Sequence, residues 1–164
     1  MVSRMKNLDS FDIKILRELQ KDAEISMQNL GERVGLSHTP CWRRVKRLEQ
    51  EGIIRKKVTL LDATHLQLAV NVFVQVTLKN HAEDGLNLFE NAVQDIDEIV
   101  ECYTVSGDRD FLLRIVVADV IAYEHLLKHT LVNLPGVDNL SSTFALRQVK
   151  YTTEFPLNTI STAD

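Results

Sequence analysis

At 164 residues, the chain is long enough for one domain or two small ones, and its composition of 45% hydrophobic and 26% charged residues is that of an ordinary globular protein. No apolar run approaches the roughly 20 residues that a membrane-spanning helix needs. The opening MVSRMKNLDS lacks an apolar signal-peptide core, so the expected location is the cytoplasm. Two cysteines, Cys41 and Cys102, offer neither a disulfide framework nor a metal cluster, and no cofactor is expected.

The net charge of -4 argues at first against a nucleic-acid partner, but the charge is unevenly placed. Residues 1–62 carry 13 Lys+Arg against 9 Asp+Glu, whereas residues 63–164 carry 6 against 14. Within 37–57, seven basic residues (Arg43, Arg44, Lys46, Arg47, Arg55, Lys56, Lys57) face two acidic ones (Glu49, Glu51). A polyanion would therefore meet the first half of the chain and be repelled by the second.

Taken in order, Leu8 to Phe11 opens a first helix, with Asp9 as its cap and Asp12 near the positive end of its dipole. Leu8, Ile15, Leu16 and Leu19 share a face of this helix. From Ser26 to Glu51 the periodicity predicts two short helices joined at Gly35-Leu36-Ser37, where glycine tolerates the positive φ of a sharp turn. Ser26 and Ser37 stand at the two capping positions, and Pro40 fits the first turn of the second helix.

On that second helix, Cys41, Val45 and Leu48 form the apolar face. Thr39, Arg43, Lys46, Arg47 and Gln50 form the other. Small polar residues at the start of the helix, with cations behind them, suit a helix-turn-helix reader whose first turn meets base edges in the major groove. Ser37, His38 and Thr39 are then nearest the bases. Arg43 and Arg47 reach bases or phosphates, and Arg44, Lys46, Lys56 and Lys57 lie along the backbone. The plainer reading is a solvated charged face on a helical hairpin. Trp42 could stack on a base, but packing within the head is the expectation.

Ile53 to Leu61, β-branched and basic, reads as one strand of a small wing. A compact linker, 62–69, separates this head (1–61) from the second half. There, Val70 to Leu78 alternates as a half-buried strand. Ala82 to Gln94 reads as a helix, Ile99 to Val105 and Phe111 to Val117 as strands about a turn at 106–110, and Asp119 caps a second helix. Val137 to Val149 completes the order as a fourth strand.

Strand-helix-strand-strand-helix-strand is the split βαβ pattern, giving an α+β protein with a winged helix-turn-helix head and a ferredoxin-like βαββαβ domain over 70–155, followed by a tail at 156–164. Two helices cover one face of a four-stranded sheet. The other face, which carries Phe73, is expected to be apolar and to associate with a second copy.

Catalytic constellations are weak. His125 and His129 have the spacing of a helical zinc pair, but Leu126 occupies the place where a zincin carries glutamate, and no third ligand is nearby. Asp108 and Asp110 more readily support a turn than act as an acid–base pair. No enzymatic activity is expected.

Taken together, the stretches LDSFDIKILRELQKD, VGLSHTPCWRRVKRLEQEGII, VSGDRDFLLRI and LPGV make the chain resemble the Lrp/AsnC (feast/famine) family of bacterial transcription regulators from residue 8 to about 155. That resemblance implies a DNA-binding head and a RAM (ACT-like) effector domain that senses a small molecule, an amino acid in relatives. It also implies dimers that assemble to an octamer. By the same resemblance, Val105, Ser106, Gly107, Asp108 and Asp110 lie at the effector site, and Val120 and Thr143 match positions that influence the response. Arg109 departs from the aromatic or aliphatic residue that many relatives carry there; it could bind an acidic ligand group or pair with Asp108 or Asp110. The expected function is thus a sequence-specific, effector-responsive regulator. The alternatives are a nucleoid-type architectural binder of duplex DNA without an effector, and an effector module acting on an enzyme.

Overall fold

The computed structural model describes residues 8–80 and 83–160, in two compact units. The first holds three helices, α1 (Ser10–Lys21), α2 (Met27–Val34) and α3 (His38–Gln50). α1 begins with a reciprocal capping box. The Asp9 carboxylate accepts the Asp12 N–H at 3.0 Å while the Asp12 carboxylate accepts the Asp9 N–H at 3.1 Å. Ser26 caps α2 by accepting the Asn29 N–H. Ser37 stands at the cap position of α3, but its side chain makes no capping bond.

Ile15, Leu16, Ile25, Leu30, Val34, Cys41, Val45 and Leu48 close the core of the head. Burial pushes the Cys41 thiol above its ordinary value, leaving it a small apolar filler. The turn between α2 and α3 is tight. Gly35 takes φ +76°, and a Cβ on Gly31 would come within 2.6 Å of the Leu36 carbonyl oxygen. Backbone of the following turn therefore runs where any other side chain at 31 would sit.

Two expectations about the head are corrected. Ile53 to Leu61 forms no strand: Ile53 and Ile54 bond back to the Leu48 carbonyl, and 55–61 runs on as exposed, irregular chain. Its basic, β-branched composition matches a strand, but composition alone leaves ladder hydrogen bonds without a partner. Trp42 is 45% exposed on α3 rather than packed in the head, because the face that meets the other helices is filled by Cys41, Val45 and Leu48. The segment from Lys150 also belongs to this unit. Phe155 donates its N–H to the Gln20 side chain at 2.7 Å, and Leu157 packs on the helical core.

The second unit is an antiparallel sheet ordered β2-β3-β1-β4, built from β1 (Val70–Leu78), β2 (Ile99–Thr104), β3 (Phe111–Val117) and β4 (Val137–Phe144). Helices α4 (Glu83–Gln94) and α5 (Val120–His129) carry the apolar residues of its core. The expected start of α4 at Ala82 lies outside the described residues. Asp119 caps α5 by accepting the Ala122 N–H. Val72, Val74, Val76, Phe111, Leu113 and Ile115 alternate onto the core side, where they meet Phe89, Val93, Tyr123 and Leu126. Burial of this row is the main stabilising term of the unit, about 25 cal/mol for each Å² of apolar surface removed from water.

β4 ends at Phe144, five residues before the expected Val149. Ala145 still donates to the Asn71 carbonyl, but β1 begins at Val70 and offers no further partner. The open face of the sheet is less apolar than expected. Beside Phe73 it carries Arg114, which donates to Glu101 at 2.7 Å and to Asn71 at 3.1 Å, and Tyr103, which donates to Glu101.

Candidate functional site

The first turn of α3 is open to solvent. Ser37, His38 and Thr39 are exposed, as are Arg43 and Lys46 one and two turns on. Thr39, Arg43, Lys46 and Gln50 follow one another at spacings of four, three and four, so they form one stripe along the helix. Lys46 lends part of its charge to Glu49, whose carboxylate lies 2.7 Å away. Lys56 and Lys57 are exposed on the irregular chain that follows.

Arg44 and Arg47 are placed differently. Both turn toward α1 and meet its capping box. Arg44 donates to Asp9 at 2.6 Å and to Asp12 at 2.9 Å, and Arg47 donates to Asp12. Asp12 is completely buried, whereas the Arg44 and Arg47 side chains keep 27% and 43% of their exposure. The stripe reading had put Arg47 beside Arg43. It sits at the margin of that face, close enough to α1 for the buried carboxylate to capture it.

The Arg47 Nε is buried without an acceptor, so its guanidinium is only partly satisfied within the head. For Asp9, partial burial opposes ionisation. The Asp12 N–H and the Arg44 guanidinium outweigh it and hold the carboxyl below its ordinary value. Asp9, Pro40, Arg43, Arg44 and Arg47 together line an open groove of about 350 Å³ between α1 and α3. Nothing local marked Asp9 and Asp12 as partners of α3; the D-x-x-D spacing announced only a helix cap.

In the second unit, the β2–β3 connection is a hairpin whose tip, Ser106, Gly107 and Asp108, is exposed, with Gly107 at φ +114°. Its base is fastened. Val105 donates to the Asp110 carbonyl at 3.0 Å, Asp110 donates to the Val76 carbonyl at 2.9 Å, and the Asp110 carboxylate accepts the Leu78 N–H at 2.8 Å. Asp110 is thus tied to the end of β1, while Asp108 is exposed. Arg109 donates to the Thr77 hydroxyl at 3.1 Å.

Val120 and Thr143 are also exposed, but away from the hairpin, Val120 beyond the far end of β3 and Thr143 beside the middle of β1. The hairpin adjoins the Val76–Phe111 pair. Thr143 opposes Phe73, and Val120 follows Val117, which opposes Val70. Three to six residues of strand, about 10–20 Å, separate the two places. One chain therefore gathers Val105–Asp110 and leaves Val120 and Thr143 apart from them.

Comparison with known proteins fits this geometry. Residues 8–55 match the winged helix-turn-helix DNA-binding family, and residues 71–155 match the Lrp/AsnC ligand binding domain. The chain is 45% identical over 154 residues to the leucine-responsive regulatory protein of Escherichia coli (strain K12), covering 94% of each. It is similar in structure to an AsnC family transcriptional regulator from Agrobacterium tumefaciens, with 43% identity and a TM-score of 0.88 over 92% of this chain and 98% of that one. A transcriptional regulator from Neisseria meningitidis, solved as its L-Met complex, gives 37% identity and a TM-score of 0.87 over 92% and 97%. A winged helix-turn-helix head with an exposed first turn on α3, joined to a ferredoxin-like ligand-binding domain, makes this chain a member of the Lrp/AsnC family: a DNA-binding transcriptional regulator, not an enzyme.

Proposed function

We propose that this regulator works in the cytoplasm, binds particular operator sequences and changes its affinity for them when an amino acid binds at the Val105–Asp110 hairpin. The observation that carries the DNA side is the exposed first turn of α3, where Ser37, His38 and Thr39 stand ahead of Arg43 with no packing role to occupy them. These residues read base edges. Arg43, Lys46, Lys56 and Lys57 meet phosphates.

The effector side rests on the hairpin. Bare backbone at Gly107 suits a ligand carboxylate, and the exposed Asp108 suits an ammonium group, the two charges that every free amino acid presents. The related Neisseria meningitidis regulator was solved with L-Met. Because Val120 and Thr143 lie about 10–20 Å along the strands from the hairpin, they act in the response as contributions from neighbouring copies. The assembly in this proposal is an octamer, with dimers formed across the open sheet face of Phe73 and Tyr103.

Selection of genomic fragments by the purified protein, with and without a mixture of the twenty amino acids, tests the reading. Enrichment of a few sites whose occupancy changes with the mixture is the expected result, and single omissions then name the ligand. Broad, mixture-insensitive enrichment overturns it in favour of an architectural binder.

A further inference from the structure

We propose that Asp9 is a specificity-determining residue of DNA binding: through it, the capping box of α1 neutralises cations of α3 that would otherwise attract any duplex. The inference rests on the DNA-binding activity of the head.

α3 carries four cations, Arg43, Arg44, Lys46 and Arg47. Two carboxylates, Asp9 and Asp12, face two of them, Arg44 and Arg47, at hydrogen-bond distance. The cluster is therefore electrically balanced. Lys46 is paired with Glu49, which leaves Arg43 as the α3 cation without an acidic partner among the described residues. Asp9 does more than balance charge. Its side chain keeps 41% of its exposure and forms one wall of the groove that Arg43, Arg44 and Arg47 line. A phosphate entering that groove meets the Asp9 carboxylate as well as the guanidiniums.

Attraction between Lys or Arg and phosphate is blind to sequence and supplies essentially all non-specific binding. Discrimination is the ratio of specific to non-specific affinity, so a device that lowers the blind component raises the ratio. Asp9 holds it down without occupying a position on α3 that base reading needs. Partial burial of the Asp9 carboxyl is outweighed by the Asp12 N–H and the Arg44 guanidinium, so the device is charged throughout the neutral range.

Two substitutions separate this role from helix capping. Asn caps a helix about as well as Asp, so Asp9→Asn keeps the cap and removes the charge. Asp9→Glu keeps the charge and weakens the cap. The full-length protein and each variant are titrated, over 50 to 200 mM salt, with a fixed random-sequence duplex and with a fragment the wild type selects from genomic DNA.

For Asp9→Asn, the salt slope on the random duplex is expected to steepen by about 0.9, so that this variant loses about 3.5-fold more affinity than wild type across that range. Its preference for the selected fragment falls correspondingly at low salt. Asp9→Glu keeps the wild-type slope, and Asp9→Asn/Arg44→Gln returns to it. An unchanged slope in Asp9→Asn, or equal loss on both duplexes, overturns the proposal and leaves Asp9 a cap alone. A steeper slope in Asp9→Glu overturns it too, because cap geometry rather than charge would then be responsible.

Discussion

Arg47, on α3, donates to Asp12, a fully buried carboxylate contributed by α1. Arg44 shares the same carboxylate from one turn earlier, and the Asp12 side chain also closes the capping box. One acidic side chain thus fixes the start of α1, the orientation of two α3 guanidiniums and the packing of α1 on α3. Removing it leaves Arg47 without its carboxylate and Arg44 with Asp9 alone. Asp12→Ala is expected to destabilise the head by about 1.5–3 kcal/mol, the range for hydrogen bonds to a charged group, because both arginines stay partly exposed and Arg44 keeps Asp9. Urea unfolding followed by Trp42 fluorescence measures it, and a loss under 1 kcal/mol would mean that water replaces the carboxylate without strain.

Arg43 stands outside that network, so its substitution reports on DNA directly. Arg43→Ala is expected to leave unfolding of the head unchanged while weakening DNA binding. If the guanidinium meets a phosphate, affinity for all sequences drops and the salt slope becomes shallower by about 0.9. If it meets a base edge, the loss is about 1–3 kcal/mol on the preferred site alone. Titrations of matched and mismatched duplexes over salt distinguish the two.

The two aspartates of the hairpin are expected to part company. Asp110 accepts the Leu78 N–H, a bond to a charged acceptor worth about 1.5–3 kcal/mol. Asp110→Ala therefore lowers the melting temperature of the ligand-binding domain and blunts the effector response through the displaced hairpin. Asp108→Ala leaves the melting temperature in place and raises the amino-acid concentration needed for half response by about tenfold, the effect of losing one charge-assisted contact of about 1.4 kcal/mol. Calorimetric melts beside effector titrations of DNA binding show whether stability and response separate in this way.

Acid should loosen the head. The folded Asp9 carboxyl lies below its ordinary value of 3.8, so in this range the unfolded chain binds the proton more readily than the folded one. Its contribution is fully present above the unfolded value and is lost as pH falls through the folded value, below 3.8. Thermal melts between about pH 5 and 2, across the range where carboxyl groups titrate, should fall less steeply for Asp9→Asn than for wild type; parallel curves would assign the acid lability to other carboxylates.

Much of this protein was legible locally. The helix starts at Asp9, Ser26 and Asp119, the turn at Gly35, and the alternation of Val70 to Leu78 are properties of a few neighbouring residues, and each appears where the pattern put it. The order of strands and helices then left few topologies to choose from. The basic stretch 37–57 pointed to the DNA-binding half because net charge needs no coordinates to sum.

Tertiary structure decided what lies between distant residues. Whether an arginine on α3 faces DNA or its own head depends on a carboxylate 32 or 35 positions away, so Arg44 and Arg47 could not be sorted from Arg43 by helical spacing. The return of Phe155 and Leu157 to the head depends on Gln20 and on the helical core against which Leu157 packs. The separation of Gly107 from Thr143 depends on strand register, which a sheet fixes only when its partners are in place. Periodicity determines which face of an element is apolar; which charges meet across two elements is set by the packing that periodicity only begins.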